Sequence, residues 1–164
     1  MSEKDLYEPI KKYISKELAS SFNIEINTYI TAGGIPQDIL NVSKSVQEVE
    51  NQYSYKPDLM FYIPSFRKVG IIEVKNDPFN LNDIYQAKRY SEIIEADLSF
   101  LISDTNFLID DEQLIKNIDM GHIFEYYIKN KRDLDKRKIN VGIIEESNGD
   151  HIKEIRFIND LNLG

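Results

Sequence analysis

Cysteine and tryptophan are absent from all 164 residues, and histidine occurs only twice, as His122 and His151. Without cysteine there is no disulfide and no thiolate metal site. Two isolated histidines do not suit a histidine-rich zinc centre. Long apolar runs are missing too, so no segment has the length needed to span a bilayer. The opening MSEKDLYEPIKKYI is charged and helical in pattern, without a secretory apolar stretch. The expected location is cytoplasmic. Basic residues are the minority, 20 against 28 acidic ones, for a net charge of −8. That balance argues against binding nucleic acid through bulk charge, because phosphates favour basic surfaces. It leaves room for a local basic track, and it suits a carboxylate-rich site that recruits a divalent cation.

Hydrophobic residues make up 41% and charged residues 29% of the chain, both ordinary for a globular protein. The length suits one core. No repeat, low-complexity tract or linker interrupts it, so 1–164 is expected to form a single domain.

Residues 3–22 carry Leu6, Ile10, Tyr13, Ile14, Leu18 and Phe22 at spacings of three and four, which predicts an amphipathic helix. Ser2 or Asp5 can cap it. Pro9 implies either a start near Glu8 or a kink. Ile24–Thr31 alternates like a half-buried strand, and Gly33-Gly34 reads as a turn. Residues 37–52 are polar, a short helix or a mobile segment. Pro57–Ile63 and Val69–Lys75 are the clearest strands. Leu81–Ala96 is helical, opened by Asn80 or Asn82 with Asp83 in its first turn. Leu98–Ile102 is a short apolar strand. Asp110-Asp111-Glu112 is read as opening a helical region that runs to Lys131 with a break near Gly121. Ile139–Glu145 and His151–Ile158 read as a hairpin turning at Asn148-Gly149. The order predicts an α/β fold: a mixed sheet with helices on it.

The chemistry concentrates in the two clear strands. Pro64–Arg67 can form a four-residue hairpin loop, with Ile63 pairing Lys68. That register puts Asp58 directly opposite Glu73, on one face. Lys75, two residues on, shares the face. Both strands are otherwise apolar on both faces, as central strands are. A carboxylate pair at their end is therefore expected to be partly buried, and two such groups must share a proton or a cation. Magnesium resolves the conflict with oxygen ligands and retains waters, one of which can be a nucleophile. Lys75 can orient that water or offset charge on a phosphoryl group.

Pro57-Asp58, fourteen intervening residues, and Glu73-Val74-Lys75 at the end of an apolar strand resemble the PD-(D/E)xK nuclease superfamily. That group includes restriction endonucleases and archaeal Holliday junction resolvases. Asp83-Ile84-Tyr85-Gln86-Ala87-Lys88-Arg89-Tyr90 resembles the family's helix after the xK strand. Leu6–Ile14 resembles its first helix. The likeness spans about residues 3–103 and implies a restriction endonuclease-like α-β-β-β-α-β core, with 104–164 as a C-terminal extension packed on it. It implies Mg2+ or Mn2+ held by Asp58, Glu73 and the Val74 carbonyl, with Glu8 as an outer ligand and Glu3 and Glu17 as rivals. It further implies Lys75 and Gln86 as catalytic residues, Lys75 assisting the attacking water and Gln86 contacting that water, the lysine or the DNA backbone. Lys88, Arg89 and Tyr90 are the expected contacts to DNA. The basic run Lys131–Lys138 is read as a solvated helix end in preference to a phosphate grip. Tyr53, Tyr55, Tyr62 and Tyr85 are read as core or rim aromatics in preference to base-stacking groups.

Two functions compete at this stage. One is a metal-dependent deoxyribonuclease, with a homodimeric junction resolvase as a subtype. The other is a non-catalytic module that keeps the nuclease fold and binds a protein partner.

Overall fold

The computed structural model describes residues 2–52, 56–78, 80–105, 124–129, 134–158, 161 and 163. A helical stretch opens the chain without a break: a 3-10 turn Glu3–Leu6, an α segment Tyr7–Lys12, a π segment Tyr13–Leu18 and a last α turn Ala19–Ser21, together α1. Ser2 is its N-cap, and the Asp5 carboxylate accepts hydrogen bonds from the Ser2 N–H at 2.6 Å and hydroxyl at 2.9 Å. Pro9 falls in the first turn of the α segment, where its missing N–H is tolerated. The helix therefore starts earlier than Glu8, and tightens to 3-10 geometry ahead of the proline.

Strand β1 is Asn27–Ile30, followed by short helices α2 (Gln37–Leu40) and α3 (Lys44–Gln52). Then come β2 (Leu59–Ile63), β3 (Lys68–Lys75), α4 (Leu81–Ile94) and β4 (Leu98–Ser103). Last come β5 (Glu125–Lys129), β6 (Leu134–Asn148) and β7 (His151–Phe157). The seven strands form one mixed open sheet in the order β1-β2-β3-β4-β6-β5, with β7 also on β6. β1, β2 and β3 are antiparallel neighbours, whereas β3, β4 and β6 run parallel. Parallel neighbours need a crossover, and α4 supplies it between β3 and β4. The fold is α/β.

Alternation along the strands divides the core. Leu59, Phe61, Ile63, Ile72, Val74, Phe100 and Ile102 face α1, through Ile10, Ile14 and Leu18. Met60, Val69 and Ile71 face the opposite way, against Ile35, Ile39, Val46 and Ile94 of the other helical layer. β2 and β3 are thus covered on both sides, as their unbroken apolar character requires.

Residues 125–129 are strand, not the end of a helix running to Lys131; most of that segment, and His122, lie outside the described residues. Phe124 and Tyr126 are buried against Ile84 and Ala87 of α4, and the Tyr126 hydroxyl donates to the Ala96 carbonyl at 2.7 Å. Contact with α4 selects the extended form of a sequence rich in strand-favouring Tyr and Ile. Likewise, the described part of the 131–138 basic run is the start of β6, not a helix end. Lys136 pairs with Glu125 at 3.5 Å and Arg137 with Asp135 at 2.6 Å. The β6–β7 hairpin turns at Gly149-Asp150, one residue later than Asn148-Gly149, since Asn148 pairs with His151. Gly149 supplies the positive φ of 59°. β6 also continues the sheet beside β4, so the C-terminal part extends the sheet itself. Among the described residues, no helix is long and apolar enough to cross a membrane.

Candidate active site

The β2–β3 hairpin has the register read from its loop: Ile63 pairs with Lys68 and Leu59 with Ile72. Carried past Leu59, where the ladder ends, the same register would set Asp58 against Glu73 and Pro57 against Val74. Proline has no N–H to offer the Val74 carbonyl. Its own carbonyl accepts the Thr31 hydroxyl at 2.7 Å. The ladder therefore stops, and the Asp58 side chain takes the next place. Its Oδ2 accepts the Val74 N–H at 2.9 Å, and its Oδ1 accepts the Tyr7 hydroxyl at 2.6 Å. The Asp58 main-chain carbonyl is held in turn by the N–H groups of Thr31 at 2.9 Å and Ala32 at 3.2 Å. Asp58 is thus fixed through its backbone by the end of β1, and through its carboxylate by β3 and α1.

Glu73 continues the face of Val69 and Ile71 and is buried, at 4% exposure. Lys75, at the end of β3, lies 4.0 Å from the Asp83 carboxylate, with side-chain exposures of 23% and 18%. Asp83 belongs to the capping box of α4, where Asn80 Oδ1 accepts the Asp83 N–H at 3.0 Å. The connecting loop is tied to β4 and the residues after it: the Ser103 hydroxyl donates to the Asp77 carbonyl at 3.0 Å, and the Thr105 hydroxyl to the Asn76 carbonyl at 3.2 Å. The first turns of α1 and α4 therefore approach the end of β3 from opposite sides of the sheet.

Sequence reasoning passed over Tyr7, and its choice of helix acid shifts. Tyr7 is buried, and burial, then its bond to Asp58, then the charges of Asp58, Glu3 and Glu73 push its phenol well above the ordinary tyrosine range. It stays protonated and donates. Glu8 is exposed on α1. The helix acid whose field reaches the site is Glu3, one of the two rivals: burial raises its pKa most, Lys75 opposes that, and Asp58, Asp83 and Asp77 add to it. Glu17, further along α1, is exposed. The spacing Glu3-x-x-x-Tyr7 was the available signal, since residues four apart share a helix face.

Gln86 is half-buried and donates to the Tyr90 hydroxyl at 3.0 Å. It lies one turn along α4 from Asp83, on the same stripe. Tyr90 packs against the core beside Ile93 and Ile94, which leaves less of its ring to meet a base. Arg89 is exposed and Lys88 half-buried. Lys88 follows Gln86 by two residues, about 200° around the helix, so the two do not share a face. Tyr53 and Tyr55 lie outside the described residues. His151 lines a groove between α1 and β7 with Lys12, Tyr13, Lys16 and Glu17, apart from this site.

Among the described residues no group of three or more carboxylates or imidazoles gathers closely enough to hold a metal by itself. The oxygen donors on this stretch of chain are Asp58, Glu73 and the Val74 carbonyl, hard ligands of the type that a magnesium-like cation takes. No protein-family model, no curated protein and no solved structure matches this chain.

Proposed function

We propose that the chain is a Mg2+- or Mn2+-dependent deoxyribonuclease with a restriction endonuclease-like core of the PD-(D/E)xK kind. The observation that supports this reading is the end of the β2–β3 hairpin, where the Asp58 carboxylate, just before β2, accepts the Val74 N–H between Glu73 and Lys75 on β3. Asp58, Glu73 and the Val74 carbonyl would hold the cation, which supplies a polarised phosphoryl oxygen and an acidified water. Lys75 offsets the negative charge that develops on the phosphate. Glu3 replaces Glu8 as the helix acid facing this group. Gln86 contributes an amide one turn beyond Asp83, within the same helix stripe. Arg89 is the exposed cation of α4 available to a phosphate backbone.

The test is an assay of supercoiled, linear, single-stranded and branched DNA with magnesium or manganese. The wild-type protein cuts at least one form, and EDTA stops it. Lys75→Ala lowers the rate by about 10²–10³-fold, the scale of losing one group that stabilises transition-state charge. Its unfolding free energy falls by no more than about 1 kcal/mol, the scale of the lost Lys75–Asp83 pair. Undiminished cutting by that variant overturns the assignment.

A second reading, a non-catalytic module, draws on one observation: both Asp58 oxygens already serve the fold, through Tyr7 and Val74. A magnesium thermal shift separates the two. A cation at 100 times its dissociation constant stabilises the native state by about 2.7 kcal/mol. The nuclease reading requires that shift in wild type and its loss in Asp58→Ala. An equal shift in both, or none in wild type, favours the module.

A further inference from the structure

We infer that Tyr7 is a positioning residue for the proposed cation site, holding the Asp58 carboxylate in one rotamer through its hydroxyl. The inference rests on the nuclease reading above and extends it to a residue outside the acidic and lysine groups. Three constraints meet at Asp58. Its backbone is pinned by Thr31 and Ala32. Its Oδ2 takes the Val74 N–H, and its Oδ1 takes the Tyr7 hydroxyl at 2.6 Å, across 51 positions of sequence. A carboxylate with one oxygen held can still swing about the bond to the other. With both held, its plane is set. Each oxygen has a second lone pair, so two hydrogen bonds orient the group without using up its capacity to bind a cation.

The holder itself is rigid. Tyr7 is 7% exposed, and it sits in the cluster that joins α1 to Phe61, Ile72 and Val74. The Tyr7 hydroxyl therefore couples the packing of α1 on the sheet to the direction of a carboxylate at the strand end. A charge-assisted O–H···O bond of this length is among the stronger hydrogen bonds a protein makes. Orientation supplied before binding spares the cation the entropy of ordering its ligand.

The experiment measures Mn2+ binding by electron paramagnetic resonance on three proteins: wild type, Tyr7→Phe and Asp58→Asn. Tyr7→Phe keeps the ring and its packing and deletes only the hydroxyl. The expected result is a Mn2+ dissociation constant raised about tenfold in Tyr7→Phe, and binding lost in Asp58→Asn. Urea unfolding of the metal-free proteins controls for stability, which a purely structural hydroxyl would lower without moving the dissociation constant. Unchanged Mn2+ affinity in Tyr7→Phe, with loss in Asp58→Asn, overturns the role of Tyr7 and leaves the cation site standing. Absence of Mn2+ binding in wild type overturns both readings.

Discussion

The Lys75 ammonium stands 4.0 Å from the carboxylate of Asp83, joining the end of β3 to the first turn of α4. Asp83 does two things at once, because its other oxygen accepts the Asn80 N–H at 3.1 Å and closes the helix cap. Asp83→Ala removes both contacts. A lost cap interaction and a partly buried ion pair together lower the unfolding free energy by about 1 kcal/mol, readable by urea titration. Because Lys75 itself remains, DNA cleavage by this variant falls by less than it does in Lys75→Ala. A rate as low as that of Lys75→Ala would mean that Asp83 acts in the chemistry directly.

Glu3 carries a pH signature. Its folded pKa is raised, by burial first and by Asp58, Asp83 and Asp77 against the opposing pull of Lys75. A carboxyl whose folded pKa lies above its unfolded value favours folding while protonated, and that contribution disappears as the pH rises through the folded pKa. At neutral pH with EDTA present, Glu3→Gln therefore unfolds at a higher temperature than wild type. The gap closes as the pH falls below the ordinary glutamate value of 4.5, where wild type is protonated in both states. Differential scanning calorimetry across that range checks it, and a gap that widens in acid contradicts the environment described for Glu3.

Gly70 tests the packing that holds the hairpin in place. It pairs with Phe61, and a Cβ added there would overlap the Phe61 ring. That ring stacks on Phe100 with centroids 5.3 Å apart and is fully buried, so it has nowhere to move. Gly70→Ala lowers stability by about 1–3 kcal/mol, the usual range for overpacking. Combined with Phe61→Leu, which vacates part of the space, it shows a favourable coupling in a double-mutant cycle. Strict additivity would place the clash elsewhere.

The hairpin was legible because its information is local. A four-residue loop between two apolar strands sets the register that pairs Ile63 with Lys68 and Leu59 with Ile72. The start of α4 was legible for the same reason, since Asn80 and Asp83 form their capping box within one turn. Residues 125–129 and 134–138 were misread because Tyr126 packs against α4, and Lys136 finds its partner, Glu125, on the neighbouring strand. Helix and strand patterns are nearly equal in such a stretch until distant contacts decide between them. That Glu3 feels Lys75 and Asp58 while Glu8 is exposed depends on how α1 lies against the sheet, which helical spacing cannot supply.

By itself, then, the order of residues determined an α/β chain, the pairing of its central hairpin and the capping box that opens α4. Tertiary structure decided that Tyr7 and the Val74 N–H hold the Asp58 carboxylate, that Glu3 on α1 feels Lys75 and Asp58, and that the described part of the basic run belongs to a strand. The physical reason is range: turns, caps and strand registers are set within a few residues, whereas Tyr7 meets Asp58 only after α1 has packed on the far side of the sheet.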